Sequence, residues 1–298
     1  MKGSVIRWSL AALLILIPTN ACAQPVTKES RQRTCTDFTG LGPPSWSVQN
    51  RIAFTGDCGG RQALYVLDAA DGSLTELPTG GLAAEWPRWS HSAKEIAFTV
   101  VVNEGQRDIF LLDVSSGKTT RLTDDGSHGG TMSWSPDDQW LGIYGPTGDD
   151  WNISRLRRDG SEKIRINRDN DHRYFNITWS PDGESYLYSA SKAIFRQHGA
   201  AGKPVRVTPE GIHAVMPHWS PNGKLLAFDG NAGDGWELYL IKPDGTGLTR
   251  LTTNDTVDMN ASWSPDGKRI AYQCDDDGVT SLCIRDLATR QSEPLFRP

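Results

Sequence analysis

The stretch Trp263-Ser264-Pro265-Asp266-Gly267-Lys268-Arg269-Ile270-Ala271-Tyr272 reads as the end of one strand, a tight turn and the start of a second strand. Proline suits the fixed φ of the second turn position and glycine the last, so Pro265-Asp266-Gly267 is a turn by its chemistry. Asn260-Ala261-Ser262 leads into it as a short strand, while Ser281-Leu282-Cys283-Ile284 and Glu293-Pro294-Leu295-Phe296 supply a third and a fourth. Upstream, the Trp-Ser pair that opens the phrase also stands at Trp46, Trp89, Trp134, Trp179 and Trp219, with successive gaps of 43, 45, 45, 40 and 44 residues. A period in that range predicts a β-propeller. The expected fold is therefore all-β, with six blades of four antiparallel strands over residues 38–80, 81–125, 126–170, 171–210, 211–254 and 255–298.

Within each repeat large residues alternate, as in Ile52-Ala53-Phe54 with Leu64-Tyr65-Val66 and Leu226-Ala227-Phe228 with Leu238-Tyr239-Leu240. Such alternation buries one side chain in two between neighbouring blades. The six repeated tryptophans, out of eleven in the chain, accordingly read as core. Turn chemistry weakens toward the start: Ser47-Val48-Gln49-Asn50 and Ser90-His91-Ser92-Ala93 lack the Pro-Asp-Gly turn, and Asp138 stands in the glycine place of the third repeat.

With 298 residues, 37% of them hydrophobic, 30 glycines and 17 prolines, the chain is long enough for one large turn-rich domain. Residues 1–23 read as a cleaved secretory signal: Lys2 and Arg7 give the positive start, Leu10 to Ile17 an apolar run too short to span a bilayer, and Ala21-Cys22-Ala23 a small-x-small cleavage site. The mature chain is then expected in the periplasm or secreted, with no transmembrane segment. The alternative, a lipoprotein acylated at Cys22, has Thr19 where a large aliphatic residue is expected. Residues 24–37 read as a polar tether. Loss of Lys2 and Arg7 takes the formal charge from −5 to −7, and with no basic run a nucleic-acid partner is not expected. Four cysteines remain in an oxidising compartment. Cys274 and Cys283 flank the turn-rich Asp275-Asp276-Asp277-Gly278, so a bridge there staples a hairpin and leaves Cys35 to pair with Cys58.

The phrase from Trp263 to Tyr272 resembles the repeat of the TolB family, and Leu238-Tyr239-Leu240-Ile241-Lys242-Pro243-Asp244-Gly245 with Thr249-Arg250-Leu251-Thr252 resembles that family's third and fourth strands. The resemblance covers residues 38–298 and implies a six-bladed propeller. TolB carries an α/β domain ahead of its propeller, for which residues 24–37 are too short, so the likeness is expected over the propeller alone. The repeat is also similar to propellers of prolyl-oligopeptidase-type peptidases and, more loosely, of oligogalacturonide lyases. Peptidases of that kind carry their nucleophile in a Gly-x-Ser-x-Gly turn, and the chain has no such motif.

In a propeller the loops entering the innermost strands and those joining second to third strands emerge on one face. On that face the sequence places Glu85, Trp86, His128, Trp151, His172, Arg173, His213, Trp236 and Asp258 as the candidate partner- or ligand-binding residues. His128, His172 and His213 precede their tryptophans by six, seven and six residues, and together with a carboxylate they form a tentative divalent-metal set. Trp86, Trp151 and Trp236 lie outside the repeated slot and suit contact with a partner. The leading expectation is a non-catalytic, exported, monomeric propeller needing no cofactor. It would bind an envelope protein or peptide through its channel mouth, for which TolB's peptidoglycan-associated lipoprotein is the precedent the resemblance implies. The alternative is a metal-assisted lyase or hydrolase on an acidic saccharide, with His172 or His213 as base and Arg173 neutralising a substrate carboxylate.

Overall fold

A computed structural model of the chain describes Cys35 and residues 38–103, 106–126, 128–147, 150–167, 173–254, 256–276 and 278–297. The described residues form six antiparallel sheets and no helix. Blade 2 is representative: its innermost strand Ala84–Trp89 pairs with Glu95–Asn103, which pairs with Gln106–Asp113 and then the short outer Thr119–Arg121. The innermost strands of blades 3 to 6 are Met132–Trp134, Tyr174–Trp179, His213–Trp219 and Met259–Trp263. Blade 1 splits its innermost strand into Phe38–Leu41 and Ser45–Trp46, both paired with Arg51–Cys58.

The serine after each repeated tryptophan explains why the phrase recurs. Ser90, Ser135, Ser180, Ser220 and Ser264 are buried, and each hydroxyl accepts the backbone N–H five residues on, where the second strand begins. In blades 3, 5 and 6 the same hydroxyl donates to the Asp or Asn two residues on, at 2.5, 2.9 and 2.6 Å. One side chain therefore satisfies a donor and an acceptor at the strand exchange. The last turn position is left-handed in all six blades: Gly183, Gly223 and Gly267, but also Asn50, Ala93 and Asp138. Asn and Asp tolerate that region best among residues with a Cβ. Asp138 is also held in place by the N–H groups of His91 and Ser92, at 2.7 and 2.9 Å, from the neighbouring blade. The turns that the sequence marks as weak thus keep the same backbone.

A second repeated device pins the outer strand. Thr123, Asn167, Thr208 and Thr252 accept the backbone N–H of Ile109, Ile153, Ile194 and Leu238 in the third strand, at 2.9 to 3.0 Å. Apolar side chains gather between neighbouring blades, not inside any one of them. Tyr144 and Ile153 of blade 3 pack with Tyr174, Ile177 and Trp179 of blade 4, and Leu187 and Ile194 of blade 4 with Ala214, Leu226 and Phe228 of blade 5. Such a blade cannot bury its faces alone.

The ring closes between blades 1 and 6 without exchanging strands. Blade 6 uses Met259–Trp263, Arg269–Asp276, Val279–Asp286 and Ser292–Phe296, all consecutive in the chain. The seam is sealed by Phe296 against Phe38 and Phe54, with ring centroids 5.3 and 5.5 Å apart, and by Trp46 N–H donating to Ser262 Oγ at 2.8 Å. Both expected disulfides are present, Cys35–Cys58 and Cys274–Cys283, with Cα separations of 6.1 and 5.8 Å. No helix among the described residues is long and apolar enough to cross a membrane. Phe296 is half-buried at the seam, so Phe296→Ala should lower unfolding free energy in urea by about 2 kcal/mol. An unchanged midpoint would mean that the seam does not limit stability.

Candidate functional site

The six repeated tryptophans are packed as the sequence expects, five of them buried and Trp219 partly so. They also wall a cavity that the sequence reading did not find. A central space of about 500 Å³ is lined by all six indoles, by Pro136, Pro181, Pro221 and Pro265 of the following turns, and by Pro44. His91 and Val48, which is 58% exposed, line it too, so the space opens among the turns that follow the tryptophans. That end of the channel is opposite the loop face on which the sequence places its candidates.

The lining follows from local backbone chemistry. Three residues before the tryptophan, Trp86, Asn176, Met216 and Asn260 all have left-handed φ, between 52° and 61°, where the pairing register slips. A bulge of this kind re-aims the side chains around it, and Asn176 and Met216 line the cavity. For bulky Trp86 and Met216 the conformation is strained. Sequence periodicity carries no signal for it.

The polar part of the lining includes Arg88, Thr131, Ser133, Asn176, Thr178 and His218. Burial lowers the Arg88 guanidinium to about 10, which leaves it charged at neutral pH. Burial, and then the nearby Arg88 charge, push His218 down to about 3, so its imidazole is neutral.

The sequence candidates on the other face form three groups that meet at Tyr144 and Phe175. In the first, Glu85 accepts a 2.8 Å ion pair from Arg107. Next to it, Trp86 packs where a Cβ on Gly130 would stand 2.4 Å from its indole nitrogen, and Gly129 is pressed equally closely by the Tyr144 ring. The Gly129-Gly130 pair is what lets the loop entering blade 3 pass between these rings. His128 is 3% exposed, with Nε2 3.1 Å from Asp125. In the second cluster Trp151 packs at a tilt against Tyr144 and Phe175, with ring centroids 5.8 Å apart in both pairs. In the third His213 lies 5.0 Å from the Trp236 ring, and the Trp236 carbonyl accepts the N–H of Asp258, whose carboxyl is raised by burial to about 6. Exposed Arg173 borders a smaller space of about 350 Å³ with Phe175, Lys192 and His213. His172 lies outside the described residues. Among the described residues no group of three or more His, Cys, Asp or Glu is arranged to hold a metal ion. Half-buried Trp151 and Trp236 each have a ring partner within the fold.

Burial lowers His128 to about 4 in the folded protein, against about 6.5 in an unfolded chain. The unfolded chain binds its proton first, so the neutral histidine's contribution is present above pH 6.5 and lost as pH falls toward 4. Asp229 and Asp258 are raised by burial and act with the opposite sign. The difference between wild type and His128→Asn isolates the histidine: it should move against wild type by about 2 to 3 kcal/mol between pH 7 and pH 4. A pH-independent difference in urea unfolding would refute the assignment.

Three comparisons bear on the whole. The chain is 29% identical over 244 residues to the Tol-Pal system protein TolB of Gluconobacter oxydans, covering 74% of this chain and 50% of that protein. The structure superposes on crystalline TolB of Acinetobacter baumannii with a TM-score of 0.70 and 21% identity, over 82% of this chain and 63% of that one. It also superposes on an oligogalacturonate lyase in complex with manganese, at a TM-score of 0.62 and 14% identity, over 88% and 79%. No family model matches. The chain spans only about half to two thirds of the TolB proteins it resembles, and likeness at such low identity speaks for fold alone. In repeat and in fold, the chain is a TolB-like six-bladed β-propeller.

Proposed function

We propose that this chain is an exported, non-catalytic propeller that binds a protein or peptide partner of the cell envelope. The observation that carries the reading is the central space walled by six indoles and rimmed by prolines. Concave apolar sites with a few placed polar groups bind ligands, and aromatic side chains dominate the energetics of partner contacts. An extended segment offering proline, aromatic or aliphatic side chains fits such walls. The name of the Gluconobacter relative, a Tol-Pal system protein, supports a partner in the envelope. The leader-like residues 1–23 and two disulfides support an oxidising compartment outside the cytoplasm. The saccharide-lyase alternative has His213 and Arg173 bordering one small space, but among the described residues no group of three or more His, Cys, Asp or Glu is arranged to hold its metal, and its other candidate base, His172, lies outside them.

Partner docking at the tryptophan end is tested by a photo-crosslinking residue placed at Val48, on the cavity rim, and in parallel at Val279, 41% exposed at the start of the third strand of blade 6, near the opposite face. Crosslinking in intact cells should give one defined envelope-protein adduct from position 48 and none from position 279. Adducts from position 279 alone would move the binding face to the candidate loops. Their absence from both positions in folded protein would overturn partner binding.

A further inference from the structure

Arg88 and His218 depart from a pattern that the other four blades keep. One residue before each repeated tryptophan stand Ser45, Arg88, Ser133, Thr178, His218 and Ser262. Four of the six are small hydroxyl residues, so the ring itself does not require a cation there. The structural duty of the Arg88 position falls on its backbone carbonyl, which accepts the Trp134 indole N–H at 3.0 Å and which any residue would supply.

Arg88 is 9% exposed and lines the central space. Its hydrogen bond is from Nη1 to the adjacent Pro87 carbonyl, at 2.9 Å. Among the described residues no carboxylate comes within ion-pair distance of it. Asp229, the one carboxyl that acts on its charge, is fully buried and takes the Asn260 N–H on both oxygens at 3.0 Å. Burial raises Asp229 to about 8, and its two oxygens take the Asn260 N–H, so it makes no ion pair with the Arg88 guanidinium. A buried charge without a partner is costly, and an unpaired one bordering a cavity marks a place where a charged ligand can complete it. The guanidinium fork presents parallel donors that match a carboxylate.

We propose that Arg88 anchors a carboxylate that an extended peptide segment of the partner carries into the channel. The inference rests on the tryptophan-lined space being the partner site. The carboxylate comes from an acidic side chain or from a C-terminus, and neutral His218 adds a hydrogen-bonding group in the equivalent slot of blade 5 without competing charge. A volume of about 500 Å³ admits a short segment, not a folded domain.

The test is titration calorimetry of the intact mature protein with three synthetic pentapeptides. These are Ala-Pro-Glu-Pro-Ala capped at both ends, its Gln counterpart capped alike, and Ala-Pro-Ala-Pro-Ala with a free C-terminus. The Glu peptide, the free-carboxylate peptide or both should bind more tightly than the Gln peptide by about tenfold or more, the range of a charge-assisted hydrogen bond. Which of the two does so identifies the source of the carboxylate. Arg88→Met should bring the ratio to about one, while Arg88→Lys keeps a preference for the acid. Replacing a buried charge by an apolar side chain of similar length is often tolerated, and Arg88→Gln serves as a second neutral variant if the Met protein fails to fold. Equal binding of all three peptides to wild type would overturn the carboxylate inference and leave peptide binding standing. Binding of none at millimolar concentration would overturn both.

Discussion

At four of the six junctions neighbouring blades are tied together at the innermost strand, by the tryptophan or by the residue before it. The Trp134 indole donates to the Arg88 carbonyl and the Trp263 indole to the His218 carbonyl, each reaching back one blade. At two junctions the tie runs through a serine hydroxyl: Ser45 accepts the Trp89 N–H, and Ser262 accepts the Trp46 N–H across the closing seam. These bonds are buried or partly buried, so each lost partner would leave a polar group with no water to replace it. Because the apolar clusters also lie between blades, local hydrogen bonding and packing set the same spacing. The ring is thereby fixed from its inner edge outward.

That arrangement explains what could be read from the sequence. A Trp-Ser pair every 40 to 45 residues is a one-dimensional signal for a structure made of nearest-neighbour contacts, so the fold was legible from the period alone. The turns were legible in chemistry but not in their persistence. Ala93 keeps a left-handed φ with no glycine, and Asp138 is held by N–H groups of a neighbouring blade, which a reading of one repeat cannot see.

The candidate site was much less legible, for two reasons. A periodic tryptophan looks like core, and it is core, yet six of them around one axis also make a wall. Burial and lining are compatible in a closed ring, where they would exclude each other in a two-layer fold. The second reason is the bulge three residues before the tryptophan, which breaks strand alternation in blades 2, 4, 5 and 6. On the loop face, spacing brought His128 and His213 to equivalent places in their repeats, but equivalence in a repeat puts them in different blades. His128 meets Asp125, and His213 meets Trp236.

A channel built this way discriminates through desolvation. The walls are indoles and prolines packed into the inner edge of the ring, so they adapt little to what enters. A neutral peptide gains apolar contact there and leaves the buried Arg88 charge as it was. A carboxylate at the same depth loses its own hydration but removes the uncompensated charge, so two costs offset each other in one contact. An amide of the same shape loses hydration too and gives back only a dipole. The preference of the site for an acid therefore comes from what the fold leaves unpaired at the position where four other blades carry a hydroxyl.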